Sequence, residues 1–118
     1  MLFVKLEPGY ILGFVEGEGT FNLVRYPEGR IRPQFLVFNT NREILESIKE
    51  TLKVNAPIFE VSRVEDLIKR TKNTYRLQVR SKEDLVKVVR FFEKRRPIVK
   101  RDDYKIFKDC FDNWITKR

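Results

Sequence analysis

The sequence predicts an α+β fold in which a four-stranded antiparallel sheet carries its helices on a single face. Three observations lead to this class. Helical and strand periodicities follow one another in the order α-β-β-α-β-β-α-α. A helix followed by a hairpin occurs twice, and the residues of each strand alternate between an apolar and a polar side. The length of 118 residues allows one domain, residues 1–118, with a modest hydrophobic core.

Elements in the first half of the chain follow from residues that typically begin or end them. Pro8 suits the first turn of a helix, and Pro27-Glu28-Gly29 is a turn sequence. Asn39-Thr40-Asn41 offers side chains that cap a helix N-terminus, and Ala56-Pro57 ends that helix. The predicted elements are a helix at Pro8–Glu18, strands at Thr20–Tyr26 and Ile31–Phe38, and a helix whose apolar residues are Ile44, Leu45, Ile48 and Leu52.

Elements in the second half follow the same logic. A long basic connection, Glu65–Asn73, separates two strands. Ser81 is a helix-capping residue, and Arg95-Arg96-Pro97 closes the helix that it begins. Aromatic residues in the last helix are interpreted as core. The predicted elements are strands at Ile58–Val64 and Thr74–Arg80, a helix at Glu83–Lys94, and a helix from Asp102 to Ile115 that packs Tyr104, Phe107, Phe111, Trp114 and Ile115 inward.

The charge distribution favours a nucleic-acid partner. The chain has 25 Lys and Arg against 17 Asp and Glu, a formal net charge of +8. Residues 1–29 carry two basic and four acidic residues, so the remainder of the chain holds a net charge of +10. A positive field of this kind attracts phosphate. A solvated surface rich in charge explains the composition equally well, so charge alone leaves both interpretations open.

Missing residue types exclude several kinds of chemistry. The chain has no histidine and one cysteine, which excludes His-based triads, His-metal nucleases and His or Cys zinc sites. It also has no phosphate-binding loop of the Gly-x-x-x-x-Gly-Lys-Ser/Thr type. Hard-metal chemistry by carboxylates remains, because magnesium keeps several waters and needs few protein ligands. The cysteine, Cys110, is predicted to be a small buried hydrophobe.

No segment predicts secretion or insertion into a membrane. Met1–Leu6 is too short for the apolar part of a signal peptide, and no run reaches the roughly 18 apolar residues of a spanning helix. A single cysteine forms no intrachain disulfide, which fits a reducing compartment. We therefore expect a soluble intracellular protein, cytoplasmic or nucleoid-associated, without a membrane partner.

The first helix combines a stripe of glycines with two carboxylates. Gly9, Gly13 and Gly17 recur at every fourth position, although glycine inside a helix costs about 1 kcal/mol relative to alanine. Residues four apart share one helix face, so the stripe predicts that a second helix packs closely against it. Glu16 and Glu18 lie at the helix C-terminus, where free carbonyls already carry partial negative charge. A divalent cation would compensate this charge.

Ile11–Gly19 resembles the LAGLIDADG motif of homing endonucleases and their maturase relatives. Residues 13–19 are in register with the motif, and Ile11-Leu12 stands for its Leu-Ala start. The motif occurs once, and family members with one motif are homodimers. The resemblance covers nearly the whole chain. It implies the αββαββα LAGLIDADG fold, a saddle-shaped sheet, and a homodimer interface formed by Gly9, Gly13 and Gly17.

In this family the free face of the sheet lies over DNA. Arginine pairs with guanine, and glutamine or asparagine with adenine, in the major groove. Exposed strand faces are polar in many proteins, so alternation alone does not establish base contact. Leu36 continues the polar set of the second strand, while Phe35 and Val37 belong to the apolar side. The resemblance implies DNA-contact roles for Asn22, Val24, Tyr26, Arg30, Arg32, Gln34, Arg76, Gln78 and Arg80.

The family also places the second acidic residue of the motif at the scissile phosphate. Here that residue is Glu18, with the Gly17 carbonyl as a further ligand of Mg²⁺ or another divalent cation such as Mn²⁺. The resemblance assigns Lys100 to a lysine near the attacking water, although neighbouring arginines could replace it. It assigns Asn39 to a catalytic polar residue, a position that helix capping explains equally well. Glu16 is expected to form structural hydrogen bonds near the helix end.

The sequence therefore predicts a homodimeric, Mg²⁺-dependent, site-specific endonuclease that hydrolyses both strands of a near-palindromic DNA target. Two alternatives stay open. A maturase would bind intron RNA on a basic surface, and a regulator of the same fold would bind DNA without cleaving it. The chain could also be one domain of a larger protein. The DNA target does not follow from the sequence, because base preference also depends on DNA shape and bound water.

Overall fold

The fold is an α+β arrangement with the predicted order of elements. A computed structural model describes residues 5–61 and 74–116. Most predicted boundaries are confirmed to within about one residue; the predicted strand residues 62–64 and the connection Glu65–Asn73 lie outside the described residues. The elements are α1 (Pro8–Glu18), β1 (Gly19–Arg25), β2 (Ile31–Asn39), α2 (Arg42–Leu52), β3 (Ile58–Val61), β4 (Thr74–Val79), α3 (Lys82–Lys94) and α4 (Arg101–Thr116).

The sheet is antiparallel throughout, in the order β1-β2-β4-β3. Its central row places Phe21 opposite Phe35 and Phe35 opposite Val79. Because side chains alternate along a strand, these residues share one side of the sheet with Val37 and Leu77. All five are buried and belong to one core with apolar residues of the four helices. The predicted single layer of helices on the apolar side is confirmed.

An aromatic cluster fills the centre of the core. The ring of Phe21 has its centroid 5.1 Å from those of Phe92, Tyr104 and Phe107, and 5.2 Å from that of Phe35. Edge-to-face and tilted pairs at these distances are favourable beyond the area they bury. The cluster holds β1, β2, α3 and α4 together, and it confirms the inward direction predicted for Tyr104 and Phe107.

Three residues of α4 that were predicted to be buried lie nearer the surface. Ile115 is 46% exposed because it lies in the last turn, where burial ends. Trp114 is half-buried, and its ring lies between two cations rather than in the aromatic cluster. Cys110 is also only half-buried, with Sγ 3.9 Å from the carbonyl oxygen of Ile31. Partial burial raises the pKa of its thiol.

Side-chain caps and a left-handed residue set the helix ends. Asn41 caps α2 by accepting a hydrogen bond from the Ile44 N–H, and Ser81 caps α3 by accepting one from the Asp84 N–H. Helix α2 ends before the predicted break at Ala56-Pro57, because Lys53 adopts φ 60° and terminates it. Within residues 5–61 and 74–116, no helix has the length and apolar character that crossing a bilayer requires.

Helix α1 and strand β1 are joined directly, without a loop. The Gly19 N–H donates to the Val15 carbonyl, and the chain turns straight into the strand. A Cβ atom at residue 19 would lie 2.7 Å from Val15 Cγ1 and 3.0 Å from the Val15 carbonyl oxygen. Glycine is therefore required by close approach, and Glu18 lies at a rigid junction between two packed elements.

We expect Gly19→Ala to lower the free energy of unfolding by about 1–3 kcal/mol, because the new methyl group overpacks the junction. Denaturant unfolding monitored by circular dichroism measures the change. The Val15→Ala variant is the matched background, since it removes the methyl group closest to the new Cβ. Gly19→Ala should destabilise less in that background; equal losses in both backgrounds would contradict the proposed clash.

Candidate nucleic-acid interface and catalytic site

One face of α1 is exposed and consists of glycine. Ile11 and Val15 are buried on the other side, against the sheet. Gly9, Gly13 and Gly17 are exposed, and a Cβ atom built on any of them would meet nothing within 4 Å. Unlike Gly19, these glycines are therefore not required by packing within the described part of the chain. The stripe is open to a neighbour from outside it.

Two aromatic residues flank the glycine stripe. The rings of Tyr10 and Phe14 are stacked with centroids 6.3 Å apart, and Tyr10 is 53% exposed. The sequence analysis did not single out this pair. The spacing of the two residues could have predicted their contact, because residues four apart share a helix face. The exposed face of α1 therefore presents glycine backbone beside two aromatic rings.

The end of α1 carries the predicted metal ligands. Glu18 and Gly17 are exposed, and no basic residue lies in the last turn of the helix. The final carbonyls of a helix have no intrahelical donor and carry partial negative charge. A carboxylate beside such carbonyls is an all-oxygen donor set, which suits a hard divalent cation.

The described residues supply only part of a complete coordination sphere. In residues 5–61 and 74–116, no group of three or more His, Cys, Asp or Glu side chains is placed to hold a metal ion. One chain therefore offers Glu18 with a backbone carbonyl from residue 17. Water, a substrate phosphate or a second copy of the chain would have to supply the remaining ligands.

Glu16 connects the end of α1 to the loop before α4. Its Oε2 accepts hydrogen bonds from the backbone N–H groups of Ile98 (3.0 Å) and Val99 (2.8 Å), and its Oε1 accepts one from that of Lys100 (3.2 Å). Partial burial alone would raise the pKa of Glu16, but the three N–H donors and the Lys100 charge outweigh it and hold the pKa below its usual range. The structural role predicted for Glu16 is confirmed.

This contact fixes the backbone of the predicted catalytic lysine. Lys100 donates its N–H to Glu16, and its carbonyl accepts the N–H of Tyr104 in the first turn of α4. The loop therefore joins the motif helix to the core through backbone bonds on both sides of Lys100. Its neighbours Ile98 and Val99 are 79% and 78% exposed and are held by their hydrogen bonds to Glu16, while Pro97 just before them is buried.

Asn39 lies at the end of β2 and does not cap α2. Its Oδ1 accepts the N–H of Asn41 at 2.8 Å, and Asn41 is the residue that caps the helix. The alternative interpretation of Asn39 as an N-cap is therefore wrong. Its side chain shapes the turn between β2 and α2, and its catalytic assignment stays a prediction.

The side of the sheet opposite the helices, here called the open face, carries polar side chains in register across strands. Asn22 of β1 lies opposite Gln34 of β2. The next residue of β2, Phe35, lies opposite Val79 of β4, so Gln34 is also adjacent to the end of β4. Gln34 Nε2 donates to Asn22 Oδ1 at 2.9 Å, and Arg80 Nε donates to Gln34 Oε1 at 2.6 Å. The residues bond to one another, and Gln34 is 6% exposed rather than free as expected.

A second part of the open face is less polar than the sequence suggested. Leu36 is 9% exposed and lies opposite Gln78, and Arg76 lies opposite both Phe38 and Phe59. The Arg76 guanidinium stacks over Phe59, 5.0 Å from the ring centroid. Its Nε is buried, and among the residues that the structure describes no group accepts its hydrogen. A buried unpaired donor of this kind is costly unless a ligand satisfies it.

The predicted contacts near the first hairpin are also engaged within the chain. Arg30 stacks over Tyr26 at 4.3 Å and pairs with Glu28 at 3.1 Å. Val24 lies opposite Arg32, whose guanidinium stacks over an indole 4.8 Å away. These interactions orient the side chains: Arg30 stays exposed, whereas Arg32 is half-buried and its guanidinium is held by the indole rather than free as the predicted DNA contact requires.

The sequence analysis missed the partner of Arg32. That partner is Trp114 of α4, which also contacts the Lys82 ammonium at 4.9 Å. The two cations and the indole line a groove of about 800 Å³ with Cys110 and Asp109. The sequence pattern of α4 does not distinguish Trp114 from the core aromatics. The contact between Trp114 and Lys82 depends on where β4 ends, and the α4 pattern does not show this.

The sheet has one face without helices, rich in amides and arginines, and an acidic helix end lies next to it. This arrangement is typical of α+β proteins that bind a ligand on the free face of their sheet. The sequence profile of the LAGLIDADG endonuclease family matches residues 11–111. The chain belongs to this family, and its single-domain size fits the single-motif type.

Solved structures share this fold. The archaeal intron-encoded homing endonuclease I-Vdi141I, complexed with DNA, is 31% identical with a TM-score of 0.76 over 92% of this chain and 68% of that one. The homing endonuclease I-TnaI is 25% identical with a TM-score of 0.78 over 95% and 76%. The meganuclease I-AabMI, bound to uncleaved DNA, is 23% identical with a TM-score of 0.79 over 93% and 37%, which shows the fold alone. No curated protein matches the chain.

We expect Glu16→Gln to loosen the loop before α4, because an amide cannot accept hydrogen bonds at both of its terminal atoms. Amide hydrogen exchange at Lys100 should accelerate most, because the single oxygen of glutamine can still accept from Ile98 and Val99, and the free energy of unfolding should fall by about 1–3 kcal/mol. Glu46→Gln is the control, since Glu46 pairs with Arg42 only at the surface. Unchanged protection at Lys100 in Glu16→Gln would contradict the described tether.

Proposed function

We propose that this protein is a site-specific DNA endonuclease that works as a homodimer with divalent metal. The position of Glu18 carries the proposal: an exposed carboxylate at a rigid helix end, beside an exposed glycine stripe and an open sheet face. Family membership and the DNA complexes of structural relatives support an endonuclease acting on DNA.

The exposed stripe of α1 supports the homodimer. A helix without side chains at Gly9, Gly13 and Gly17 lets the same helix of a second copy approach closely, and a two-fold interface pairs a patch with itself. The stacked Tyr10 and Phe14 rings would extend this contact with apolar area. With a two-fold axis parallel to the paired helices, two Glu18 carboxylates would lie at one end of the pair, and a near-palindromic target would be the natural substrate.

Metal binding is proposed at the ends of the paired helices. Glu18 and the Gly17 carbonyl would hold Mg²⁺, or another hard cation such as Mn²⁺, which lowers the pKa of bound water and neutralises charge on the scissile phosphate. Two carboxylates close together repel each other, so neutralisation would couple metal binding to dimerisation. The protein's own contribution is to hold both carboxylates on rigid junctions.

The remaining residues would position DNA. Lys100, whose backbone Glu16 fixes, would place a positive charge near the scissile phosphate. Open-face arginines and amides would lie in the major groove, where they meet base edges. Arg76 supports this arrangement, because its buried Nε lacks an acceptor in residues 5–61 and 74–116.

We expect Glu18→Gln to reduce cleavage by more than about 100-fold while leaving DNA binding intact, because the amide is a poor metal ligand. The measurement is incubation of a randomised duplex library with Mg²⁺, followed by sequencing of the cut ends. EDTA should abolish the same cuts. Glu50→Gln, on the exposed end of α2, is the control for loss of one negative charge.

The same experiment separates the alternatives. Defined cuts that persist in Glu18→Gln would refute the catalytic assignment. Absence of cuts by the wild type, with salt-sensitive retention of duplex DNA, would indicate a regulator. Preferential retention of structured RNA would indicate a maturase.

We expect Gly13→Leu to give a folded monomer. A Cβ atom at residue 13 meets nothing within 4 Å inside the described chain and the position is exposed, so the fold should persist while the helix pair is blocked. Sedimentation equilibrium should give a mass of two chains for the wild type and one for the variant, with unchanged circular dichroism. Glu50→Leu adds the same leucine to an exposed position of α2 and should leave the dimer intact. A monomeric wild type would overturn the proposed assembly.

A further inference from the structure

Three polar side chains on the open face form a row whose hydrogen bonds all run in one direction. Arg80 Nε donates to Gln34 Oε1 at 2.6 Å, and Gln34 Nε2 donates to Asn22 Oδ1 at 2.9 Å. Gln34 is 6% exposed, whereas Asn22 and Arg80 at the two ends of the row are exposed. The middle residue is thus covered, and the end residues face outward.

The direction of the row follows from the chemistry of arginine. A guanidinium only donates, so the oxygen of Gln34 must face Arg80. The amide nitrogen of Gln34 must then face Asn22 and donate to its oxygen. This leaves the Nδ2 group of Asn22 turned away from Gln34. The oxygen and nitrogen atoms of a side-chain amide are usually hard to tell apart in a structure. Here they are assigned, because the arginine at one end of the row can only donate hydrogen bonds.

We propose that this row reads DNA with donors alone and therefore selects bases whose major-groove edge presents acceptors. An asparagine reads adenine by using its oxygen and nitrogen together on one base edge. Asn22 has its oxygen turned along the sheet towards Gln34, so only Nδ2 meets the base. Cytosine presents only a donor in the major groove and is rejected, whereas guanine and thymine present keto acceptors and no donor; adenine offers N7 but leaves its amino group unmet. Arg80 selects guanine through O6 and N7.

Gln34 is then a positioning residue rather than a base-contacting one. It lies beneath the surface and acts by fixing which atom Asn22 presents. This inference rests on the proposed function, since it requires DNA on the open face. It differs from the role that sequence resemblance gives to Gln34, which is direct contact with DNA.

The test uses the Gln34→Glu variant to reverse the direction of the hydrogen bond between residue 34 and Asn22. A carboxylate accepts on both sides, so it pairs with Arg80 and also with Nδ2 of Asn22, which must turn its oxygen outward. Gln34→Met keeps the length of the side chain, removes both polar groups and frees Asn22 to rotate. Thr74→Glu is the matched control, because it adds the same charge to the same face of the sheet, opposite Val61 and outside the row.

Two measurements are made on each full-length variant. Binding selection from a randomised duplex library, without metal, gives the base preferred at each position. Side-chain amide spectra of ¹⁵N-labelled free protein report which group Asn22 donates to. The first measurement needs DNA binding, while the second does not.

For the wild type we expect about fivefold or greater enrichment of guanine or thymine over cytosine at one half-site position. In Gln34→Glu that position should change to adenine or cytosine, whose amino groups donate, and the Asn22 amide proton should move downfield. Gln34→Met should lose the preference at that position only, and Thr74→Glu should leave it unchanged.

The outcomes separate the inference from the proposed function. A sequence-selective wild type whose preferences do not change in Gln34→Glu would overturn the inference while leaving DNA recognition standing. A wild type without sequence-selective binding would overturn the proposed function, and the base preference with it. An unshifted Asn22 amide in Gln34→Glu would overturn the orientation of the row without any reference to DNA.

Discussion

The carboxylate of Glu16 makes the contact on which the arrangement of the candidate site depends. It holds three consecutive backbone N–H groups of the loop before α4, and through them it fixes where α1 ends relative to that helix. Glu18 lies two residues further along the chain, and Lys100 belongs to the loop. Hydrogen bonds to a charged group are about twice as strong as neutral ones, so one side chain sets the relation between two candidate catalytic residues. The first acidic residue of the motif therefore positions the second.

The two faces that the fold leaves uncovered are uncovered for different reasons. On α1 the exposed glycines contribute no side chain, so the surface is made of backbone and the flanking rings of Tyr10 and Phe14. On the sheet the side chains are present but bonded to one another. A surface of the first kind is suited to close packing of helices, and one of the second kind to a polar ligand that meets fixed donors.

Sequence patterns predicted most of the fold because its elements follow clear periods and stops. The helix at Pro8–Glu18 has the predicted bounds, and Ser81 caps the helix that was assigned to it. The position of a candidate site residue was predictable where one element sets it, as for Glu18 at the end of α1, while its catalytic role stays a prediction. It was less predictable where neighbours decide: strand alternation places Gln34 on the open face, but only the register with its neighbours shows that it is buried there. The contacts of Trp114 were not predicted for the same reason, since a helical pattern does not show which cation meets an aromatic ring.

The Asn22–Gln34–Arg80 row couples positions that a contact list would treat as independent. Each amide in such a row accepts on one side and donates on the other, so the state of one member sets the next. Substituting Arg80 would release the oxygen of Gln34, and the orientation of Asn22 would no longer be determined. If the row lies on DNA as proposed, base preferences at its two ends would be non-additive even though the end residues do not touch. A change of specificity would then require the whole row to be redesigned as a unit.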